Sequence, residues 1–109
     1  MDIDYIRDIV SVWAASKKEI RRIFLFGSMA RRDYGIESDI DLAIDIDVCM
    51  VKGVDEGDGF ATWCLVLPSY RSELGMMFSH RVDVRRFNEN NHVIRDAVNR
   101  DGILIYEVD

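Results

Sequence analysis

The 109-residue chain predicts one α/β (α+β) domain on a single β-sheet with flanking helices, and three stretches carry that reading. Residues 40–47 alternate without a fault: Ile40, Leu42, Ile44 and Ile46 to one side, Asp39, Asp41, Ala43, Asp45 and Asp47 to the other. That is the period of a half-buried strand. Residues 23–26 are apolar at every position and run directly into Gly27-Ser28, which reads as a strand covered on both faces that ends in a tight turn. Ile6, Ile9, Val10 and Trp13 recur at the spacing of one buried helix face. At roughly 100 to 200 residues per domain, the chain holds one domain, 1–109.

The elements follow in order. The first helix covers about 4–15, with Asp2 or Asp4 able to cap its start. Lys17, Lys18, Arg21 and Arg22 read as a solvated basic stretch at the helix end, where the dipole favours positive charge. After the apolar strand a short helix is expected over 28–33, then a loop over 34–38 that turns at Gly35. The alternating strand ends in a glycine-punctuated acidic loop over 48–59. Phe60, Trp63, Cys64 and Leu67 form one helical stripe and Leu74, Met77 and Phe78 another. Pro68 between them predicts two short helices, because proline lacks an N–H and clashes with the preceding turn. Residues 81–87 alternate Val82 and Val84 against Asp83 and Arg85, a second half-buried strand. Asn90, Val93, Ile94, Ala97 and Val98 mark a last helix stopped by Gly102. Residues 103–106 close the chain as a short apolar strand.

Composition narrows the function classes. Fourteen Lys and Arg against twenty Asp and Glu leave a net charge of −6, unsuited to direct DNA or RNA binding, whose affinity comes largely from neutralising phosphates. The apolar runs are far shorter than the roughly 20 residues a bilayer span requires, so no membrane association is expected. Cys49 and Cys64 are the only cysteines and have no CxxC spacing, so they read as small core hydrophobes. With no leader-like opening, a reduced, cytoplasmic setting is expected. His80 and His92 lack metal-ligand partners at useful spacing and read as surface or helix residues. Trp13, Trp63 and Tyr106 read as packing.

The chemistry concentrates elsewhere. Asp39 and Asp41 lie two residues apart on one strand face, so their carboxylates share a volume about 6.6 Å across. At about 5 Å and an effective dielectric near 20 they repel by roughly 3 kcal/mol. A divalent cation relieves that repulsion, and hard oxygen ligands suit Mg²⁺. Just upstream, Gly27-Ser28 offers close backbone approach, a hydroxyl and free N–H groups, the ingredients of a phosphate site. Asp45 and Asp47 lie about 13 Å or more along the strand from Asp41, beyond one metal site, and read as solvated or ion-paired.

Gly27-Ser28-Met29-Ala30-Arg31-Arg32, followed by Ser38-Asp39-Ile40-Asp41-Leu42, resembles the minimal nucleotidyltransferases of the DNA polymerase beta superfamily. Arg81-Val82-Asp83-Val84 resembles the neighbouring strand on which that family carries a third aspartate. Arg32 stands where the family commonly has glycine. The resemblance spans nearly the whole chain and implies a mixed sheet. It further implies that Asp39, Asp41 and Asp83 hold two Mg²⁺ ions, with Asp83 also the base toward an attacking hydroxyl. Gly27, Ser28 and Arg31 would hold the triphosphate of ATP, and the reaction would be nucleotidyl transfer with release of pyrophosphate.

Larger members use a second domain to build the acceptor pocket, and a chain this short implies that another molecule supplies that wall. The resemblance suggests a helical HEPN-family ribonuclease toxin, bound in a hetero-oligomer and silenced when AMP is placed on one of its tyrosines. The expected function is thus an antitoxin-type protein adenylyltransferase. Two other readings are a non-catalytic subunit that neutralises its partner by occlusion, and a transferase acting on a small-molecule hydroxyl.

Overall fold

The computed structural model describes residues 2–31, 39–47, 59–88 and 90–108. Expectations for Arg32, the loop 34–38, Cys49 and most of the acidic loop 48–59 lie outside these residues. Helix α1 (Ile3–Ala15) starts at Asp2, whose carboxylate accepts the Tyr5 N–H at 2.8 Å. It buries Ile3, Ile6, Val10, Trp13 and Ala14. Strand β1 (Ile20–Phe26), helix α2 (Gly27–Arg31) and strand β2 (Ile40–Ile46) follow, then α3 (Phe60–Met77), β3 (Val82–Arg86), α4 (His92–Asp101) and β4 (Ile103–Glu107).

The sheet runs β3-β2-β1-β4. β1 is antiparallel to both β2 and β4, while β2 and β3 are parallel, so the sheet is mixed, as the resemblance implies. Two apolar clusters follow from strand alternation. Ile40, Leu42, Ile44 and Val84 face α1 and α3 in the main core. On the opposite side Phe26, Ala43 and Phe87 meet Ile94 and Val98 of α4. The expected double burial of β1 is seen in Ile23, Leu25 and Phe26, all buried.

The structure corrects the sequence at several points. Residues 60–77 form one helix, not two, with Pro68 inside it. The buried residues of α3 are Thr62, Trp63, Tyr70 and Leu74, so Pro68 lies on the exposed side, where water can satisfy the carbonyl that loses its N–H partner. That rotation also turns Phe60 and Cys64 outward, and Cys64 is an exposed free thiol rather than a core hydrophobe. On α4, Val93 is exposed and Ile94 and Val98 carry the contact. The basic stretch is not simply solvated: Lys17 pairs with Glu73 at 2.8 Å and Arg22 with Asp45 at 2.9 Å.

A polar network ties the end of α1 to α3. The Trp13 indole N–H donates to Glu73 at 3.0 Å, and the Tyr70 hydroxyl donates to Glu19 at 2.7 Å. Burial, reinforced by Glu19, pushes the Tyr70 hydroxyl far above its ordinary pKa, so it stays a donor. Among the described residues no helix is long and apolar enough to cross a membrane.

Candidate active site

The parallel pairing of β2 with β3 sets Asp41 directly opposite Asp83. Both point to the face of the sheet opposite the main core, because their neighbours Ile40, Leu42 and Val84 point into it. Asp39 lies two residues upstream, just before β2, on the same side. The Asp41 carboxyl is pushed up to about 6, first by burial, then by the charges of Asp83 and Asp39, while Arg85 and Arg31 act in the opposite sense. Three carboxylates therefore crowd one partly buried point, and Arg85 and Arg31 offset their charge only in part.

Gly27 closes the site from the side of β1. It opens α2 with φ +74°, a left-handed conformation that side chains rarely adopt. A Cβ built on it would overlap Asp41 Oδ2 and stand 3.2 Å from Asp41 Cγ. The turn thus lets backbone approach the carboxylate, which is the physical content of the Gly-Ser motif. Ser28 follows, half-buried, on a helix of only five residues. Any anion attraction here comes from local N–H groups and the hydroxyl more than from a macrodipole.

The cations around the site are individually placed. The Arg85 Nε–H donates to Asp83 at 3.2 Å. Arg31, the last residue of α2, donates through Nη1 to Asp101 at 3.1 Å, and Asp101 also accepts from Arg100 Nε at 2.9 Å. The hydrogen bond from Arg100, with that from Arg31, holds the Asp101 carboxyl below its usual range. Asp45 is the ion-paired residue the sequence suggests, taking both Nε and Nη2 of Arg22. His92 is exposed at the start of α4, His80 is half-buried beside Ser79, and Trp13, Trp63 and Tyr106 pack in the main core. Asp101 escaped the sequence reading. The signal was available: a carboxylate on the last turn of a helix, against the dipole and just before Gly102, needs a reason.

Whether these residues fit a divalent ion turns on the donor set. Among the described residues no three His, Cys, Asp or Glu side chains are clustered as a ready cage. Mg²⁺ does not require one, since it commonly binds one or two carboxylates and completes its shell with water and substrate phosphates. The Asp41–Asp83 pair, with its excess charge, fits that mode. A cavity of about 710 Å³ opens beside β3, lined in part by Trp63, Arg71, Val84, Arg85 and Ile94. Among its described lining residues neither carboxylate appears, and Arg85 is the one shared with the site.

This is the fold of a nucleotidyltransferase domain. The chain belongs to the polymerase beta nucleotidyltransferase family, whose description, "Polymerase beta, Nucleotidyltransferase", matches residues 9–109. A search of curated proteins gives no significant match. Among solved structures, a chain in a toxin–antitoxin crystal structure with AMP-PNP is 20% identical with TM-score 0.61, over 93% of this chain and 72% of that one. A chain of the MntA–HepT toxin–antitoxin is 16% identical with TM-score 0.57, over 93% and 68%. A nucleotidyltransferase structure from Sulfolobus solfataricus is 22% identical with TM-score 0.54, over 94% and 77%.

Proposed function

We propose that this chain is an antitoxin-type adenylyltransferase that moves AMP from Mg²⁺-ATP to a tyrosine hydroxyl of a HEPN-family ribonuclease and so silences it. The observation that carries the reading is Asp41 in register with Asp83 and packed against the Gly27 turn. The structural likeness to chains from toxin–antitoxin crystals, one of them with AMP-PNP, supports the partner class and the nucleotide.

In this reading Asp39, Asp41 and Asp83 hold Mg²⁺. A metal ion held by these carboxylates would supply neutralisation of their charge and of the charge that develops in an in-line displacement. Gly27 and Ser28 present N–H groups and a hydroxyl to the triphosphate, and Arg31 offsets the charge of the bound triphosphate. Asp83 accepts the tyrosine proton as the tyrosine oxygen bonds to the α-phosphorus and the bond from that phosphorus to the bridging oxygen breaks. Pyrophosphate leaves with that bonding pair. The Asp83–Arg85 ion pair does not block this role, because Arg85 is largely solvent-exposed and such pairs contribute little.

The test is to incubate the chain with Mg²⁺-ATP and the product of the neighbouring gene, then weigh both intact. A gain of one or more AMP units on the partner, absent with the Asp39→Ala and Asp41→Ala double variant, is the expected result. A silenced partner in a stable complex without mass gain would replace transfer with occlusion.

A further inference from the structure

Asp101 carries a charge where a helix least favours it. It is the last residue of α4, where the unpaired carbonyls already make the end negative. Yet its side chain is only 9% exposed and is held by two guanidiniums, Arg100 on its own helix and Arg31 on α2. Helix stability does not explain that choice of residue. What the pairing achieves is at its far end: Arg31 follows Gly27 by four residues on α2, so the two share one helix face, and Gly27 abuts the Asp41 carboxylate.

We infer that Asp101 is a positioning residue, which fixes Arg31 on the Gly27 face of α2 so that its remaining donors serve the triphosphate of the nucleotide. This rests on the nucleotidyltransferase reading above. The chemistry is specific to arginine. A guanidinium has five N–H donors in a rigid fork, and the Asp101 bond uses Nη1, leaving others for phosphate oxygens. The charge also balances in favour of an anion: two arginines and one aspartate leave the cluster with a net positive charge. An arginine free to rotate would lose side-chain entropy on every binding event, and Asp101 bears that ordering in advance.

The test measures binding of the non-hydrolysable nucleotide AMP-PNP with Mg²⁺ by calorimetry, and KM and kcat for ATP with the partner as acceptor. Asp101→Asn is expected to weaken AMP-PNP binding and raise KM for ATP about tenfold while kcat stays within about twofold, since an immobilised charge-assisted contact is lost from the bound and transition states alike. Asp101→Glu restores part of the loss, which a purely structural role in α4 would not produce. Combining Asp101→Asn with Arg31→Ala gives no further loss beyond Arg31→Ala alone, because both act through one group. Arg100→Ala, at an exposed side chain, weakens binding about twofold by removing the cluster's excess charge, and it carries the test if Asp101→Asn does not fold. Unchanged AMP-PNP affinity in both Asp101→Asn and Arg100→Ala, or additive losses with Arg31→Ala, would overturn the assignment of Asp101 alone. A wild-type chain that binds no Mg²⁺–AMP-PNP would overturn the underlying reading and this one with it.

Discussion

Asp41 and Asp83 face each other across the parallel β2–β3 pair, with Gly27 pressed against the first of them. The chemistry proposed for the chain rests on that one juxtaposition, and so do the positions expected to be most sensitive.

Gly27→Ala is expected to damage the site far more than one added methyl group would elsewhere on an exposed helix. It places a Cβ on Asp41 Oδ2 and forces a side chain into φ +74°. The strain costs on the order of 1–3 kcal/mol, and displacing Asp41 lowers transfer by at least about a hundredfold. Thermal melts and single-turnover labelling with ATP check both numbers.

The raised carboxyl of Asp41 makes stability depend on pH in a definite direction. Its pKa is 3.8 unfolded and about 6 folded, so between these values the native state holds a proton that the unfolded chain has released. Stability from this group is fully present below 3.8, falls as pH rises, and is lost above about 6. In EDTA, Asp41→Asn should therefore melt higher than wild type at pH 8, by about 2 kcal/mol after discounting for partial exposure. The two melting curves should converge at pH 3.5. Mg²⁺ should raise the melting temperature of wild type at pH 8 and leave the variant unmoved. A variant less stable than wild type at pH 8 would show that Asp41 is compensated already.

Asp83→Asn separates binding from transfer. Removing the base while keeping the shape should leave Mg²⁺–AMP-PNP affinity within about tenfold and cut the transfer rate by about 10² to 10⁴. Equal losses in both would mark Asp83 as a binding group only.

Pro68→Ala should stabilise the fold. The helix is continuous across this position, so alanine restores an N–H and removes the ring clash, a gain of up to about 3 kcal/mol. Chemical denaturation checks it, and transfer activity should not change.

The sheet and the meeting of Asp41 with Asp83 were legible because strand alternation is a local signal: residues 40–47 declare their two faces without reference to anything else. Asp41 and Asp83 meet where the spacing and the resemblance place them. Expectations failed where the outcome depends on which way a helix is turned. Pro68 signals a break in isolation, but α3 places it toward water, and burial of Trp63, Tyr70 and Leu74 outweighs one missing hydrogen bond. The same rotation moved Cys64 to the surface. Asp101 was missed because its partner Arg31 lies on a helix distant in sequence, and only folding brings the two together.

The connection between the strands that carry Asp41 and Asp83 sets the order in which the site can form. β1 and β2 are neighbours in sequence and pair antiparallel, whereas β2 ends at Ile46 and β3 begins only at Val82. The parallel pair must wait for the long crossover and α3 to close, and non-local pairings of this kind form slowly. In refolding, nucleotide binding should therefore recover after the helical signal does. A chain truncated before Val82 would keep its Gly-Ser turn and its Asp-x-Asp pair and still have no site.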